Sequence, residues 1–386
     1  MTRAYSIKVE DVTAERERVN QDLSKVDISR VIRLDELELA EMGSQDVHLR
    51  ILAVSAEHNV DHAALADTVN IAELRGGKIY PGNSALGEVL AVGAEVTRFK
   101  PGEIVVTHCN GVPDRFGYPK VIWAYDTPDS IGWYGEEAVV ADWQIVPAPL
   151  ECGLNLWEIA ALPLRAPTAY HLWRRAEGIF RVKVSEEKLP TLNVMAFGGG
   201  VSELFLMLAR AQGHNAYFCS GSAERREALE TQGIVGIDQK AFNRFASRAD
   251  SKAFAKEVRA LTEGEGMHVV CDMLRGPLFN AGFAATSREG VIVSAGWQLT
   301  RDVEYNSAAA SIKQITLDHT HYETLEGIEA ATALYGSVFK PTIHSEIYAF
   351  EDLPRAMAEM HENTQNGIPI IRVAKDMPES VAALIP

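Results

Sequence analysis

The chain has 386 residues, 47% of them hydrophobic, and a formal net charge of −16. That length predicts about two domains of an ordinary globular protein. The acidic balance argues against nucleic acid as a partner, because phosphate binding depends on an excess of Lys and Arg.

No apolar run reaches the ~18–20 residues that span a bilayer, so no membrane partner is expected. The charged N-terminal stretch lacks the apolar core of a signal peptide, and a cytoplasmic location is the expectation. The four cysteines, Cys109, Cys152, Cys219 and Cys271, lie far apart without CxxC spacing. They read as buried small hydrophobes in a reducing compartment.

Residues 1–30 are rich in charge and read as a polar N-terminal extension, with Glu15–Arg18 in a short exposed helix or a tail. From Val31 onward short β-like runs follow: Val47–Ala56, Gly87–Val92, Ile104–His108, Glu137–Val140 and Gln144–Pro147. Gly93 and Pro101–Gly102 punctuate them, which predicts a compact β-barrel-like domain. Leu156–Pro163 reads as a short helix, and a second helix begins around Thr168–Tyr170. Arg165 stands between Leu164 and Ala166 and needs a partner if it is buried.

The run Leu192–Phe197 reads as a buried strand, Gly198, Gly199 and Gly200 follow at once, and an apolar helix-like segment continues to Ala211. Strand, glycine turn and helix open a dinucleotide-binding βαβ unit, in which a pyrophosphate approaches the helix N-terminus. Ser202 and Glu203 stand where a further glycine or a small neutral residue is more usual, and a tight turn in some other α/β protein is the plainer alternative.

Five more apolar strands are expected at Asn215–Ser220, Ile234–Asp238, Gly266–Cys271, Gly290–Gly296 and Ile312–Leu317, with helices between them. The pattern predicts an α/β chain with a Rossmann-type doubly wound parallel sheet over 166–317. The tail, with strands at Glu346–Phe350 and Ile368–Val373, is expected to rejoin the barrel-like domain. That domain would then comprise 31–165 and 318–386.

Taken together, these segments resemble the medium-chain dehydrogenase/reductase superfamily. The resemblance lies in Gly87-Glu-Val-Leu-Ala-Val-Gly93 with Val96-Thr-Arg-Phe-Lys-Pro-Gly-Glu-Ile-Val-Val106, in Trp157–Tyr170, in the glycine turn and in Phe350-Glu-Asp-Leu-Pro-Arg-Ala356. It implies a GroES-like catalytic domain built from both ends of the chain around a Rossmann domain.

Where zinc-containing members carry catalytic ligands, this chain has Glu57 and Gly82-Asn83-Ser84. Asn and Ser are poor zinc ligands, and His58 with His62 lacks a third donor, so no metal is expected. Within the zinc-free branch the chain resembles crotonyl-CoA carboxylase/reductase-like enzymes. The matching pieces are Val105-Val-Thr-His-Cys109, Ile122-Trp-Ala-Tyr-Asp-Thr127, Gly135-Glu-Glu-Ala138, Asp318-His-Thr-His-Tyr322 and the Asn366-Gly-Ile-Pro369 ending.

That resemblance implies reduction of an α,β-unsaturated acyl thioester by NADPH, which some members couple to CO2 fixation. At the CO2 site it places Glu57 where an Asn is expected (Asn59 after a two-residue slip), Tyr125-Asp126 where a Phe-Glu pair is expected, and His319 at the His. An ionised Glu57 would oppose a carboxylate product, which favours plain reduction. The segment for gripping CoA reads Asn306-Ser-Ala-Ala-Ala-Ser311. A carrier-protein-bound acyl chain therefore stands beside a CoA thioester as substrate.

Strand Asn215–Ser220 ends without the Asp or Glu that binds ribose hydroxyls in NAD sites, while Ser222 and Arg225 suit a 2′-phosphate. NADPH is the expected cofactor, held by Gly198, Gly199, Gly200, Val201, Ser222, Arg225 and Thr168.

The catalytic candidates are Glu57, Tyr125, Asp126, His319 and His321. His319, His321 and Tyr125 are candidate proton donors to the α-carbon, and Asp126 is a candidate to orient one of them or to hold a water. Each has a plainer counterpart: polar residues at a strand end for the histidines, packing beside Trp123 for Tyr125, and a solvated loop for Glu57, His58 and Asp61. A quinone or enone reductase, and a reductase-fold protein without redox activity, remain alternatives. Superfamily habit implies a homodimer or homotetramer through the Rossmann sheets, with Gly290–Gly296 near the edge.

Overall fold

The computed structural model describes the chain apart from residues 23–24, 59–75, 110–111, 121–131, 297–301 and 363. The first thirty residues differ from the expected polar extension. Strand β1 (Thr2–Lys8) buries Ala4, Tyr5 and Ile7 and pairs antiparallel with β2 (Ile32–Leu37), Tyr5 opposite Leu34. The helix Val9–Arg18 follows, and Glu15 on it is buried rather than exposed. Its burial is offset by Arg18, whose Nε lies 2.7 Å from Oε2, and by the backbone N–H of Asp27, which donates to Oε1 at 2.8 Å.

The barrel-like sheet is organised on β3 (Asp46–Ser55), whose last five residues are all buried. After the short β4 (Lys78–Ile79), strand β5 (Ala85–Val92) pairs with β3 along one side and with β6 (Ile104–Thr107) on the other. β7 (Glu137–Ala141) covers the first half of β3, and β8 (Ile145–Pro147) extends the sheet beyond β6.

The next part of the chain opens with the helix Arg165–Lys183 and builds a parallel sheet. Its strands are β9 (Asn193–Phe197), β10 (Asn215–Ser220), β11 (Val235–Asp238), β12 (Met267–Asp272), β13 (Thr286–Ser294) and β14 (Thr316–His319). Among the described residues they lie in the order β11-β10-β9-β12-β13-β14. The order reverses direction between β9 and β12, which is the switch point of a doubly wound sheet. β9 and β12 are buried throughout, as strands covered on both faces must be.

The expected last strand is corrected here. Ile312 belongs to the helix Ser307–Lys313, not to the last strand, because Asn306 caps the alanine-rich run by accepting the Ala309 N–H at 3.0 Å. The strand therefore shifts to Thr316–His319. Gly290–Ser294 lie in β13, next to the edge strand β14.

Because β14 pairs with β13, the chain leaves this sheet later than residue 318. The helix Leu325–Thr332 precedes β15 (Ile343–Ala349), and the helix Leu353–His361 leads to β16 (Ile368–Arg372). β16 runs parallel to β15 and antiparallel to β3, with Ile371 opposite Val54. Two compact units result: Met1–Leu164 with Thr324–Gly336 and Lys340–Pro386, and Arg165–Glu323 with Ser337–Phe339. No helix among the described residues is long and apolar enough to cross a membrane.

Candidate functional site

In the second unit the chemistry-bearing residues gather at the carboxyl ends of the parallel strands. β9 is followed by Gly198, whose φ of +108° is a conformation that L side chains rarely adopt. A Cβ there would also lie 3.3 Å from Ser202 Oγ and 3.4 Å from Leu274 Cγ. Gly199 caps the helix Gly200–Ala211, and the N–H groups of Gly200 and Val201 open that helix without an intrahelical acceptor. A turn of this form at the switch point is an anion cradle, and it fits the pyrophosphate of a dinucleotide.

The two residues that depart from the glycine pattern both have partners. Ser202 is buried and donates its hydroxyl to the Phe197 carbonyl at 2.5 Å, tying the turn to the strand. Glu203 is buried and ion-paired with Arg225, whose Nε lies 2.8 Å from Oε1 and whose Nη2 reaches the same oxygen. Arg225 Nη2 also donates to the Gly198 carbonyl at 3.3 Å, and the guanidinium lies over the Phe218 ring. A strand-end residue and the first turn of the next helix are thereby drawn together.

Ser222 caps the helix Ala223–Glu230 by accepting the Arg225 N–H at 3.3 Å. Arg226 is bound to the Ser220 carbonyl at 2.6 Å and to Asp238 at 3.3 Å. Thr168 is buried on the helix Arg165–Lys183.

His319 ends β14, opposite Ser294 in the register. Arg275 was not anticipated from the sequence. It has a φ of +62°, which costs a non-glycine residue energy and flags a site where surrounding contacts over-determine the backbone. Its N–H donates to Asp272 Oδ1 at 2.8 Å, and its Nε to the Gly296 carbonyl at 2.8 Å. Its Nη2 lies 3.5 Å from His319 Nδ1. Partial burial, followed by the Arg275 charge, holds the His319 imidazole below its ordinary pKa. With Nδ1 facing a donor, the proton of the neutral ring sits on Nε2. A basic residue just beyond the Asp272 strand end was the available signal.

Neighbouring Asp318 is gripped by Arg175 through two contacts of 2.7 and 2.6 Å. His321 is exposed. Glu323 is buried against His171 Nδ1 at 3.1 Å and Arg174 Nη2 at 3.1 Å. Arg165 is half-buried at the start of its helix.

In the first unit Glu57 is buried just beyond β3. Its Oε1 accepts the Ser84 hydroxyl at 2.9 Å and the Ser55 hydroxyl at 3.3 Å. Its N–H donates to the Tyr134 hydroxyl at 3.1 Å, which in turn donates to the Ser55 carbonyl at 3.1 Å. Gly82 makes this closure feasible. Its φ is +113°, and a Cβ there would lie 2.6 Å from the Tyr134 nitrogen. Asn83 and Ser84 are buried beside it, and His58 is half-buried.

His108, also buried, donates from Nε2 to the Trp143 carbonyl at 2.9 Å, and burial lowers its pKa to about 4. Tyr125, Asp126, Asn59, Asp61, His62 and Trp123 lie outside the described residues.

This donor set does not suit zinc. A carboxylate oxygen that already accepts two hydroxyls, an amide and a serine replace the usual thiolate and imidazole. Among the described residues no group of three or more His, Cys, Asp or Glu side chains is placed to hold a metal ion.

Comparison with known proteins accords with both units. Residues 43–150 match the alcohol dehydrogenase GroES-like domain, and residues 200–335 match the zinc-binding dehydrogenase family. The chain is 26% identical to crotonyl-CoA reductase of Streptomyces collinus over 378 residues, covering 88% of this chain and 81% of that protein. It is 25% identical to crotonyl-CoA carboxylase/reductase of Cereibacter sphaeroides, covering 86% and 81%. In fold it is similar to the 2-octenoyl-CoA carboxylase reductase solved with NADP and 2-octenoyl-CoA. That match has a TM-score of 0.81 at 19% identity and covers 99% of this chain and 90% of that one. With the two matched segments together spanning more than half its length, the chain belongs to the medium-chain dehydrogenase/reductase superfamily.

Proposed function

We propose that this protein is an NADPH-dependent enoyl-thioester reductase. The observation that carries the reading is the Gly198 turn at the switch point of the parallel sheet, opening onto a helix N-terminus whose acidic residue Glu203 is ion-paired with Arg225. Relatives named as crotonyl-CoA reductases support the acyl-thioester class of substrate.

Gly198, Gly199, Gly200 and Val201 hold the pyrophosphate, Ser222 and Arg225 lie toward the 2′-phosphate, and Thr168 completes the cofactor set. When bound, NADPH supplies a hydride to the β-carbon of the conjugated acyl group. The negative charge that then develops on the thioester oxygen needs an oriented donor, and the α-carbon needs a proton. His319 is suited to give a hydrogen bond from Nε2, because Arg275 occupies the Nδ1 side. His321 and Tyr125 are the other candidate proton donors, with Asp126 orienting one of them or holding a water.

Glu57 supports plain reduction over carboxylation. Its Oε1 accepts the Ser84 and Ser55 hydroxyls, and an ionised Glu57 would repel a second carboxylate formed beside it. The acyl carrier is coenzyme A or a carrier protein, and the enzyme works as a cytoplasmic homodimer or homotetramer. Light scattering on the purified protein checks the assembly.

The deciding experiment follows NADPH oxidation with crotonyl-CoA and with a carrier-bound crotonyl group, each with and without bicarbonate. Bicarbonate-independent turnover is expected. Turnover that requires bicarbonate would replace reduction by reductive carboxylation. Turnover of simple enones with no response to thioesters would favour a quinone or enone reductase. Inactivity with every acceptor would favour a non-redox role.

A further inference from the structure

The Glu203–Arg225 pair is a part of the cofactor cradle that a glycine turn does not require. Arg225 is held on three sides. Nε and Nη2 both serve Glu203 Oε1, Nη2 also reaches the Gly198 carbonyl, and the guanidinium face lies over Phe218. Nη1 alone has no partner among the described residues, and the side chain is 26% exposed. The carboxylate behind it is 7% exposed, so its charge is poorly screened by water.

An anion approaching Nη1 therefore meets a guanidinium whose positive charge is largely cancelled a few ångströms behind. An unpaired arginine on a strand end would offer its full charge to a 2′-phosphate. No acidic residue follows β10 to reward the ribose hydroxyls of NADH, because Ser220, Gly221 and Ser222 occupy that end. Discrimination between the two nicotinamides thus falls on the cations at this end, Arg225 together with Lys240, whose Cε lies 3.6 Å from a Cβ placed on Gly221.

We infer that Glu203 is a specificity-determining residue: it orients Arg225 but masks its charge, so that the protein prefers NADPH over NADH only weakly. This inference rests on the reductase reading above.

The test uses Glu203→Gln, which keeps an oxygen acceptor for Nε and Nη2 and removes only the negative charge. NADPH and NADH binding are measured by fluorescence quenching on the wild-type protein and the variant, with thermal unfolding as a check on folding. NADPH should bind about tenfold tighter to the variant, the scale of one partly screened charge interaction, while NADH changes by less than about twofold. A second variant, Arg225→Gln, should lower NADPH affinity while leaving NADH affinity within about twofold.

Weaker NADPH binding to Glu203→Gln would overturn the inference, since positioning would then outweigh masking. An equal gain for both cofactors would overturn it too, since the pyrophosphate would then be the group that senses Glu203. Wild-type protein that binds neither cofactor would remove the reductase reading and this inference with it. NADPH binding with an unchanged ratio in Glu203→Gln would remove the inference alone.

Discussion

The Ser84 hydroxyl donates to Glu57 Oε1 at 2.9 Å. This contact joins the end of the central barrel strand to the segment just before β5, and both residues are buried. The carboxylate keeps its place inside the unit because hydroxyls replace the water it gives up.

Replacing Ser84 with Ala should therefore lower stability by about 1–3 kcal/mol, the cost of removing one partner from a buried acceptor. Urea unfolding would show a lower midpoint at an unchanged slope. An unmoved midpoint would mean that the Ser55 hydroxyl, at 3.3 Å, suffices.

At the glycine turn, Gly198→Ala should weaken NADPH binding and cost about 1–2 kcal/mol of stability, because alanine is strained at positive φ. Gly199→Ala is the informative partner. The atom nearest an added Cβ there is Arg225 Nη2 at 3.6 Å, so the fold tolerates the methyl group. Loss of binding without loss of stability in Gly199→Ala would mark close approach by the cofactor.

Arg275→Gly removes the guanidinium from beside His319 Nδ1 and suits a φ of +62° better than arginine does. The His319 pKa, now held down by partial burial and by Arg275, should rise. An NMR titration of the imidazole would show the shift. The low-pH limb of the turnover profile should move the same way if the neutral ring is the active form.

Two buried histidines should make the fold sensitive to mild acid. Burial lowers His108 and His268 each to about 4. Unfolded, they titrate near 6.5, so between those values the unfolded chain binds more protons than the folded one. Stability from this source is complete above about pH 6.5 and falls as the pH drops toward 4, by about 3 kcal/mol for a fully buried ring such as His108. Urea midpoints measured from pH 7 down to pH 5 should decrease, and His268→Gln should flatten part of the slope.

What could be read from the sequence follows from local pattern. The strands around Gly198 were legible because short apolar runs, those of β9 and β12 buried throughout, alternate with helical segments. Ser222 and Arg225 were legible as a pair because strand β10 stops just before them. The partner of Arg225 was not, since nothing in the spacing of Glu203 says which distant cation will reach it. Arg275 escaped for the same reason: its backbone conformation and its reach to Gly296 depend on three strands ending at one level. β1 was missed because a short mixed sequence, Thr2–Lys8, gives little alternation until β2 is laid beside it. Ile312 was misplaced because a lone apolar residue next to Lys313 fits a strand or a helix equally, and only the Asn306 cap decides.

The pairing of Val54 with Ile371 has a consequence for biosynthesis. The parallel sheet is assembled almost entirely from one continuous stretch, so its strands can pair as soon as that stretch has left the ribosome. The barrel-like sheet has no such option. β3 waits, with its Ala53–Ser55 edge open, until β16 is made after the whole parallel-sheet stretch. An open apolar edge of this kind is a template for pairing with another chain. The nascent protein is therefore most vulnerable to aggregation after its parallel sheet is complete and before β16 arrives.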